Sequence, residues 1–327
     1  MKKIFSYNYT KHLSKIFLGF TFLYYLNSLV DLSLDFTGFF EKNSVRNVLL
    51  ALLFFLASFF LKFQRLAIIA SMVEKDASNS SMRELFSIHT LSSSLALILP
   101  FKLGDIARVL LLKKYNYDYP SSLVIVLFER LLDLFVILLL VFFVGSIYKY
   151  LDGIDGLAIN TRMIFLFFML ITTYVFIFTL KFWYGILIRN QFTSLSILGI
   201  FIENILYTLS LMGYFFQQNG VRLLLFTIVI WVFEALAFTM LYIYFDVEFS
   251  LMMFLAFISL IAFALPAGPV GYGAIHLVFY YALKSNLIAS DFVSDGLYYS
   301  IYIYVPALII FSLFWFVSKN LKRDLHE

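Results

Sequence analysis

The 327-residue chain has no cysteine, which excludes disulfides, thiolate metal sites and cysteine nucleophiles. Charge is scarce as well. Asp, Glu, Lys and Arg make up 13% of the residues, against about 25% in a soluble domain. Histidine occurs four times, at positions 12, 89, 276 and 326, too far apart for metal-ligand spacing of the HExxH kind. The Walker loop, the Rossmann glycine pattern and the GxSxG elbow are missing too. With these absences no catalytic residue, metal or cofactor is assigned.

What is abundant is apolar surface, at 62% of residues. A water-soluble fold of this length cannot hide that much, so lipid is the expected solvent for much of it. The apolar runs are long and continuous, which selects helices over the alternating segments of a β-barrel. The expected fold class is therefore all-α: a polytopic integral membrane helical bundle, with residues 1–327 as a single transmembrane domain. Lys2, Lys3, Lys11 and Lys15 precede a first run of spanning length with no small-residue cleavage site behind it. That run reads as a start-transfer anchor. The net charge of +4 is no sign of nucleic-acid binding, because Lys and Arg sit at the ends of apolar runs as membrane flanks do.

A spanning helix needs about twenty mostly apolar residues. Candidate spans are 16–34, 46–64, 122–145, 162–182, 194–216, 222–245 and 297–318. Two more apolar stretches, 85–112 and 249–283, are interrupted near the middle by Pro and Gly. The first holds Leu99-Pro100-Phe101-Lys102-Leu103-Gly104-Asp105, and the second Leu265-Pro266-Ala267-Gly268-Pro269-Val270-Gly271-Tyr272-Gly273. Three of the five prolines lie in these breaks. Pro removes an amide donor and disfavours helix before it, and Gly permits turns that other residues resist. Non-helical backbone at membrane depth survives only against protein or a water-filled cavity. The breaks thus predict re-entrant hairpins or discontinuous helices around an internal site, with a pair of ordinary Pro kinks as the plainer reading.

Basic residues set the expected orientation. The N-terminus, the ends near Lys62, Arg65 and Arg83, the pair Lys113-Lys114 and the tail Lys319, Lys322 and Arg323 are predicted cytoplasmic. The loop with Asp152 and Asp155 is then external. Both termini inside requires an even number of crossings, so one broken stretch must cross, and the second is taken to be that one.

The span 122–145 carries Glu129, Arg130 and Asp133. Three central charges cost roughly 9 kcal/mol on the insertion scale, and about nineteen apolar residues return about 6–11 kcal/mol. The segment needs partners for its charges. Glu129 and Asp133 are four apart and share a face, where two like charges call for a nearby cation or a shared proton. Arg130 points about 100° away, within reach of its long side chain. The first break offers Lys102, Asp105 and Arg108. Arg108 or Lys102 is expected to pair with Glu129 and Asp133. Such a network is either a ligand site or a device that only holds the hairpin. Glu203 and Glu234, each isolated in its span, are expected to face the bundle interior in interhelical hydrogen bonds.

The motif Leu99-Pro100-Phe101-Lys102-Leu103-Gly104-Asp105-Ile106-Ala107-Arg108, followed by Glu129-Arg130-Leu131-Leu132-Asp133, resembles the lysylphosphatidylglycerol synthase transmembrane-region family, also called flippase-like. Lys102 stands for the usual Arg and Asp105 for the usual Glu. A second signature is similar at Pro266, Pro269, Gly273 and His276, with Val270 where Gly is common. The resemblance spans roughly residues 10–320. It implies broken helices around a lipid cavity, in a stand-alone member without the synthase domain. Lys102, Arg108, Arg130 and His276 would contact the head group. Asp105, Glu129 and Asp133 would form the charge network, and Pro100, Gly104, Pro266, Pro269 and Gly273 the walls at the helix breaks. The implied partner is an anionic phospholipid or a polyprenyl-linked envelope precursor, with envelope-synthesis enzymes as further partners, in the cell inner membrane. The implied activity is lipid translocation or its assistance. A transferase acting on a lipid phosphate and a non-catalytic scaffold in an envelope-synthesis complex remain the alternatives.

Overall fold

The computed structural model of the chain describes residues 44–73, 82–98, 103–114, 117, 119–147, 197–243, 248–262, 278–280, 282 and 300–323. The described residues form helices and no strand. In chain order these are α1 (Val45–Val73), α2 (Met82–Ile98), α3 (Leu103–Lys114), α4 (Tyr119–Ile147), α5 (Ile197–Leu241), α6 (Phe249–Ala262), a π-helical turn (Ser300–Tyr304) and α7 (Val305–Arg323). The protein is an all-helical membrane bundle, as its composition requires.

Several boundaries follow from single residues. Pro120 sits in the first turn of α4, where its missing N–H is no loss. Pro306 stands one residue into α7, directly after the π-helical turn. The missing donor and the ring's demand for space are absorbed by that widened turn. The 45 residues of α5 are two helices meeting at Asn219, whose backbone (φ −140°, ψ 21°) is not helical. The kink falls between the expected spans 194–216 and 222–245.

Among the described residues, two helices, Val45–Met72 and Gln217–Leu241, are long and apolar enough to cross a membrane. Their solvent faces are apolar. Val45, Leu49 and Leu53 on α1, and Val221, Leu225 and Val229 on α5, are exposed at a spacing of four. Leu127, Leu131 and Leu134 on α4, and Ile309, Leu313 and Phe316 on α7, repeat the pattern. A stripe of large exposed side chains at helical spacing on each long helix fits hydrocarbon and not water.

The helices that flank the first break, α2 and α3, pack against each other. Gly104, in the first turn of α3, lies against Ala96 near the end of α2, and a Cβ on Gly104 would stand 2.5 Å from the Ala96 backbone. Small residues at both positions permit that approach. Leu85 at the start of α2 and Leu112 at the end of α3 belong to one buried cluster, so the two helices run antiparallel. At 1.5 Å per residue, α2 is about 26 Å long and α3 about 18 Å, each shorter than the roughly 30 Å hydrocarbon layer. Asp105 in the first turn of α3 lies where the helix dipole favours a carboxylate. The second break falls at residues 263–277, outside the described residues. So do the expected spans 16–34 and 162–182 and the loop with Asp152 and Asp155.

The chain divides into two compact units. One comprises residues 1–56, 90–105 and 234–314, and the other residues 57–89, 106–233 and 315–327. The first has an aromatic core in which Phe55 meets Tyr304 edge-on (ring centroids 5.4 Å apart) and Phe238 packs on Tyr242 (4.7 Å). The second packs α1, α2, α3, α4 and α5 around Leu66, Ile69, Ile88, Leu112, Val124, Ile125 and Leu223. Every ionic contact described below lies inside this second unit.

Candidate functional site

The site is built on the buried stripe of α4. Val126, Glu129, Asp133 and Val136 recur every three or four residues and are all buried, whereas Leu127, Leu131 and Leu134 turn outward. Glu129 is 1% and Asp133 4% exposed. Ionised side chains this deep in an apolar bundle persist only with partners, and each carboxylate has them.

Asp133 accepts from four donors. Arg65 on α1 grips it with two parallel bonds, Nη1 to Oδ1 at 2.6 Å and Nη2 to Oδ2 at 3.2 Å. The indole N–H of Trp231 on α5 donates to Oδ1 at 3.0 Å, and Arg130 Nη1 donates to Oδ2 at 3.2 Å. Arg65 Nη1 also donates to Thr227 Oγ1 at 3.0 Å, and that hydroxyl donates back to the Leu223 carbonyl at 2.7 Å. Thr227 and Trp231 are four apart and so reach α4 from one face of α5. The forked guanidinium suits this bidentate grip, which an ammonium cannot reproduce.

Glu129 is held differently. Its Oε2 accepts from Arg108 Nη1 at 2.9 Å. Its Oε1 is buried, accepts no hydrogen bond, and faces Arg65 Nε, which also lacks a hydrogen-bond partner, at 3.6 Å. Nearby, Lys62 Nζ lies 4.9 Å from the centroid of the Trp231 ring, a cation–π distance.

Of the residues expected at the site, Arg108, Glu129, Arg130 and Asp133 come together, and Arg108 is the partner of Glu129. Arg130 does reach round the helix to Asp133. Asp105 opens α3, and Gly104 forms the close contact with α2. Pro100, Lys102, Pro266, Pro269, Gly273 and His276 lie outside the described residues. Glu234 is buried as expected, and the side chain of Glu203 is not among those described.

Arg65 corrects the sequence reading. It was expected as a cytoplasmic flank of a span ending at residue 64, yet α1 runs on to Val73 and Arg65 is 2% exposed in its interior. The signal was present: Leu66-Ala67-Ile68-Ile69-Ala70 continues the apolar run with no polar loop after the arginine. Lys62, three residues earlier, goes inward with it. Thr227 and Trp231 were also missed, because neither carries a charge that an apolar span would advertise.

His89, on α2, is 1% exposed, and its Nε2 lies 3.1 Å from the Phe59 carbonyl. A carbonyl only accepts, so Nε2 carries the proton and the imidazole packs among Phe59 and Phe63. No group of three or more His, Asp or Glu side chains suited to a metal ion occurs among the described residues.

A family model described as the lysylphosphatidylglycerol synthase TM region matches residues 16–310. The chain belongs to this family. No curated protein and no solved structure matches it. Membership of the lysylphosphatidylglycerol synthase TM region family marks a membrane protein of lipid or envelope biosynthesis or transport. In this member the ERxxD segment of α4 supplies both carboxylates of the buried network. The arginine that closes the first motif, Arg108, supplies one of its three guanidiniums.

Proposed function

We propose that this protein binds a lipid bearing an anionic phosphate at the α4 network and moves it, or helps move it, between leaflets. The observation that carries the reading is the gathering of guanidiniums along the buried face of α4. Among the described residues, Arg65, Arg108 and Arg130 contact two carboxylates, Glu129 and Asp133. Ionisable side chains gathered at membrane depth mark substrate pathways. Arg130, at 35% side-chain exposure, is the member of the cluster that an arriving head group meets first. A phosphodiester matches guanidinium geometry through charge-assisted hydrogen bonds. Phospholipid and polyprenyl-linked envelope precursors share that phosphate chemistry. Lys102 and His276 are proposed to extend the contact surface, with Pro266, Pro269 and Gly273 shaping the opposite wall.

The proposed setting is the cell inner membrane, crossed several times, with both termini cytoplasmic. Arg83, Lys113, Lys114 and Arg222 are exposed beside Leu85, Leu112 and Leu223 of one buried cluster, so they share an end of their unit. The positive-inside rule assigns that end to the cytoplasm. The α2–α3 hairpin then enters the bilayer and returns to the same side.

The test is reconstitution into liposomes holding trace labelled lipids of several head-group classes. Transbilayer movement of an anionic lipid faster than in protein-free vesicles, and slowed by Arg108→Ala, is expected. No acceleration for any class would refute the translocation reading.

A further inference from the structure

The two carboxylates of the network differ in a way that assigns them different tasks. All the acceptor capacity of Asp133 is taken by Arg65, Trp231 and Arg130. Such an acceptor is locked, since moving it breaks four bonds at once. Glu129 has one oxygen on Arg108 and the other, Oε1, buried without a hydrogen bond. Buried polar atoms are nearly always hydrogen-bonded, and an exception calls for an explanation. The network holds three such exceptions, Glu129 Oε1, Arg65 Nε and Arg130 Nε, and the first two face each other. Oε1 of Glu129 and Nε of Arg65 are separated by 3.6 Å, too far for a hydrogen bond and too close for a water between them.

We propose that Glu129 is a resident anion that occupies Arg108 in the empty site and is handed to Arg65 when a ligand phosphate takes Arg108. Among the described residues, the charged groups gathered around Glu129 and Asp133 include Arg65 and Lys62 on α1, Arg108 on α3, and Arg130 on α4 itself. From α5, Trp231 donates to Asp133 and Thr227 accepts from Arg65. A phosphate arriving at Arg108 competes directly with Oε2. Released, Glu129 need move only a few tenths of an ångström for Oε1 to accept the Arg65 Nε–H, so no carboxylate is left bare and no proton is needed. The exchange replaces one charge-assisted bond by two: guanidinium to phosphate, and Arg65 Nε to Glu129. It also discriminates. A neutral lipid offers Arg108 nothing that outcompetes a carboxylate, whereas a phosphate with an undivided negative charge does.

This inference rests on the proposed binding of a lipid phosphate, and the experiment separates the two. The full chain in detergent micelles is titrated calorimetrically with short-chain phosphatidylglycerol, in two buffers of different ionisation enthalpy. Wild type should bind without net proton uptake. Glu129→Gln removes the competing anion and should bind about tenfold tighter, the factor corresponding to one charged hydrogen bond. Glu129→Asp, which draws the carboxylate back by one methylene, should bind with intermediate affinity, and it provides the measurement if the Gln variant does not fold. A folded Glu129→Gln protein with unchanged or weaker affinity would overturn the hand-over, as would uptake of a proton on binding by wild type. In either case the lipid-binding reading stands. Failure of wild type to bind phosphatidylglycerol, phosphatidic acid or a short-chain polyprenyl phosphate would refute that reading, and the hand-over with it.

Discussion

Replacing Arg65 by Met keeps the length and apolar bulk of the side chain and deletes its charge. The structure sets the size of the consequence. Asp133 loses both bonds of the guanidinium fork and keeps the Trp231 indole and Arg130 as donors. Thr227 loses a donor, and Glu129 loses the cation facing Oε1. Breaking one partner out of a buried ion pair costs about 3–5 kcal/mol, because the other charge stays behind in a poor solvent. Arg65 and Asp133 are 2% and 6% exposed at the side chain, so water cannot repair the loss. The double variant Arg65→Met/Asp133→Leu removes both charges, and a buried pair replaced by apolar groups is often close to neutral. Reversible unfolding of the purified protein in mixed micelles with increasing denaturing detergent gives the three free energies. The singles should each cost about 3–5 kcal/mol and the double markedly less than their sum, a coupling of about 2 kcal/mol or more. Additive losses, or an Arg65→Met cost below about 1 kcal/mol, would show that the pair is not the anchor of the unit.

Other consequences follow from single contacts. Trp231→Phe removes one donor to a charged acceptor and little volume; a destabilisation of about 1.5–3 kcal/mol is expected in the same unfolding assay. Arg130→Ala should cost less than about 1 kcal/mol of stability, since that side chain is 35% exposed. It should nonetheless weaken phosphatidylglycerol binding in calorimetry. Gly104→Val would place a branched side chain where even a Cβ meets the Ala96 backbone at 2.5 Å. The expected result is a hairpin forced open, read as faster proteolysis between α2 and α3, with Gly104→Ala milder in the same assay.

How much of this could be read from the sequence depended on what each residue did to hydropathy. Glu129, Arg130 and Asp133 interrupt a run that is otherwise apolar, so α4 announced both its span and its need for partners. Arg108 and Glu129, 21 residues apart, meet because they lie on consecutive helices, α3 and α4, joined by only the few residues between Lys114 and Tyr119. Arg65 was misread for the opposite reason. A cation near the end of a hydropathy window looks like a flank, and only the apolar run Leu66-Ala67-Ile68-Ile69-Ala70 beyond it shows that the helix goes on. Thr227 and Trp231 carry no charge, and in a span rich in aromatic and hydroxyl side chains their task was set by what faces them. No pattern within one helix encodes that. The kink at Asn219 was legible from Gln217-Gln218-Asn219, three amides together between two apolar runs.

The distribution of charge across the helices also explains why the site sits on the second unit and why it can be both firm and responsive. α1 and α4 are joined by the tightest ionic contact of the network, Arg65 with Asp133, and α5 is tied to the same carboxylate through an indole donor. Three long helices are therefore fixed at one atom group. α3 is tied in by a different carboxylate, through Arg108 and Glu129, and α3 is a short helix that closes a hairpin. A twelve-residue segment tilts at far lower cost than a helix of 29 residues packed along its length. If both carboxylates were saturated alike, a ligand could enter only by breaking the scaffold. Because the unsatisfied oxygen belongs to Glu129, on the contact that reaches the short helix, an anion can draw Arg108 away while the Arg65–Asp133 fork keeps α1, α4 and α5 in register.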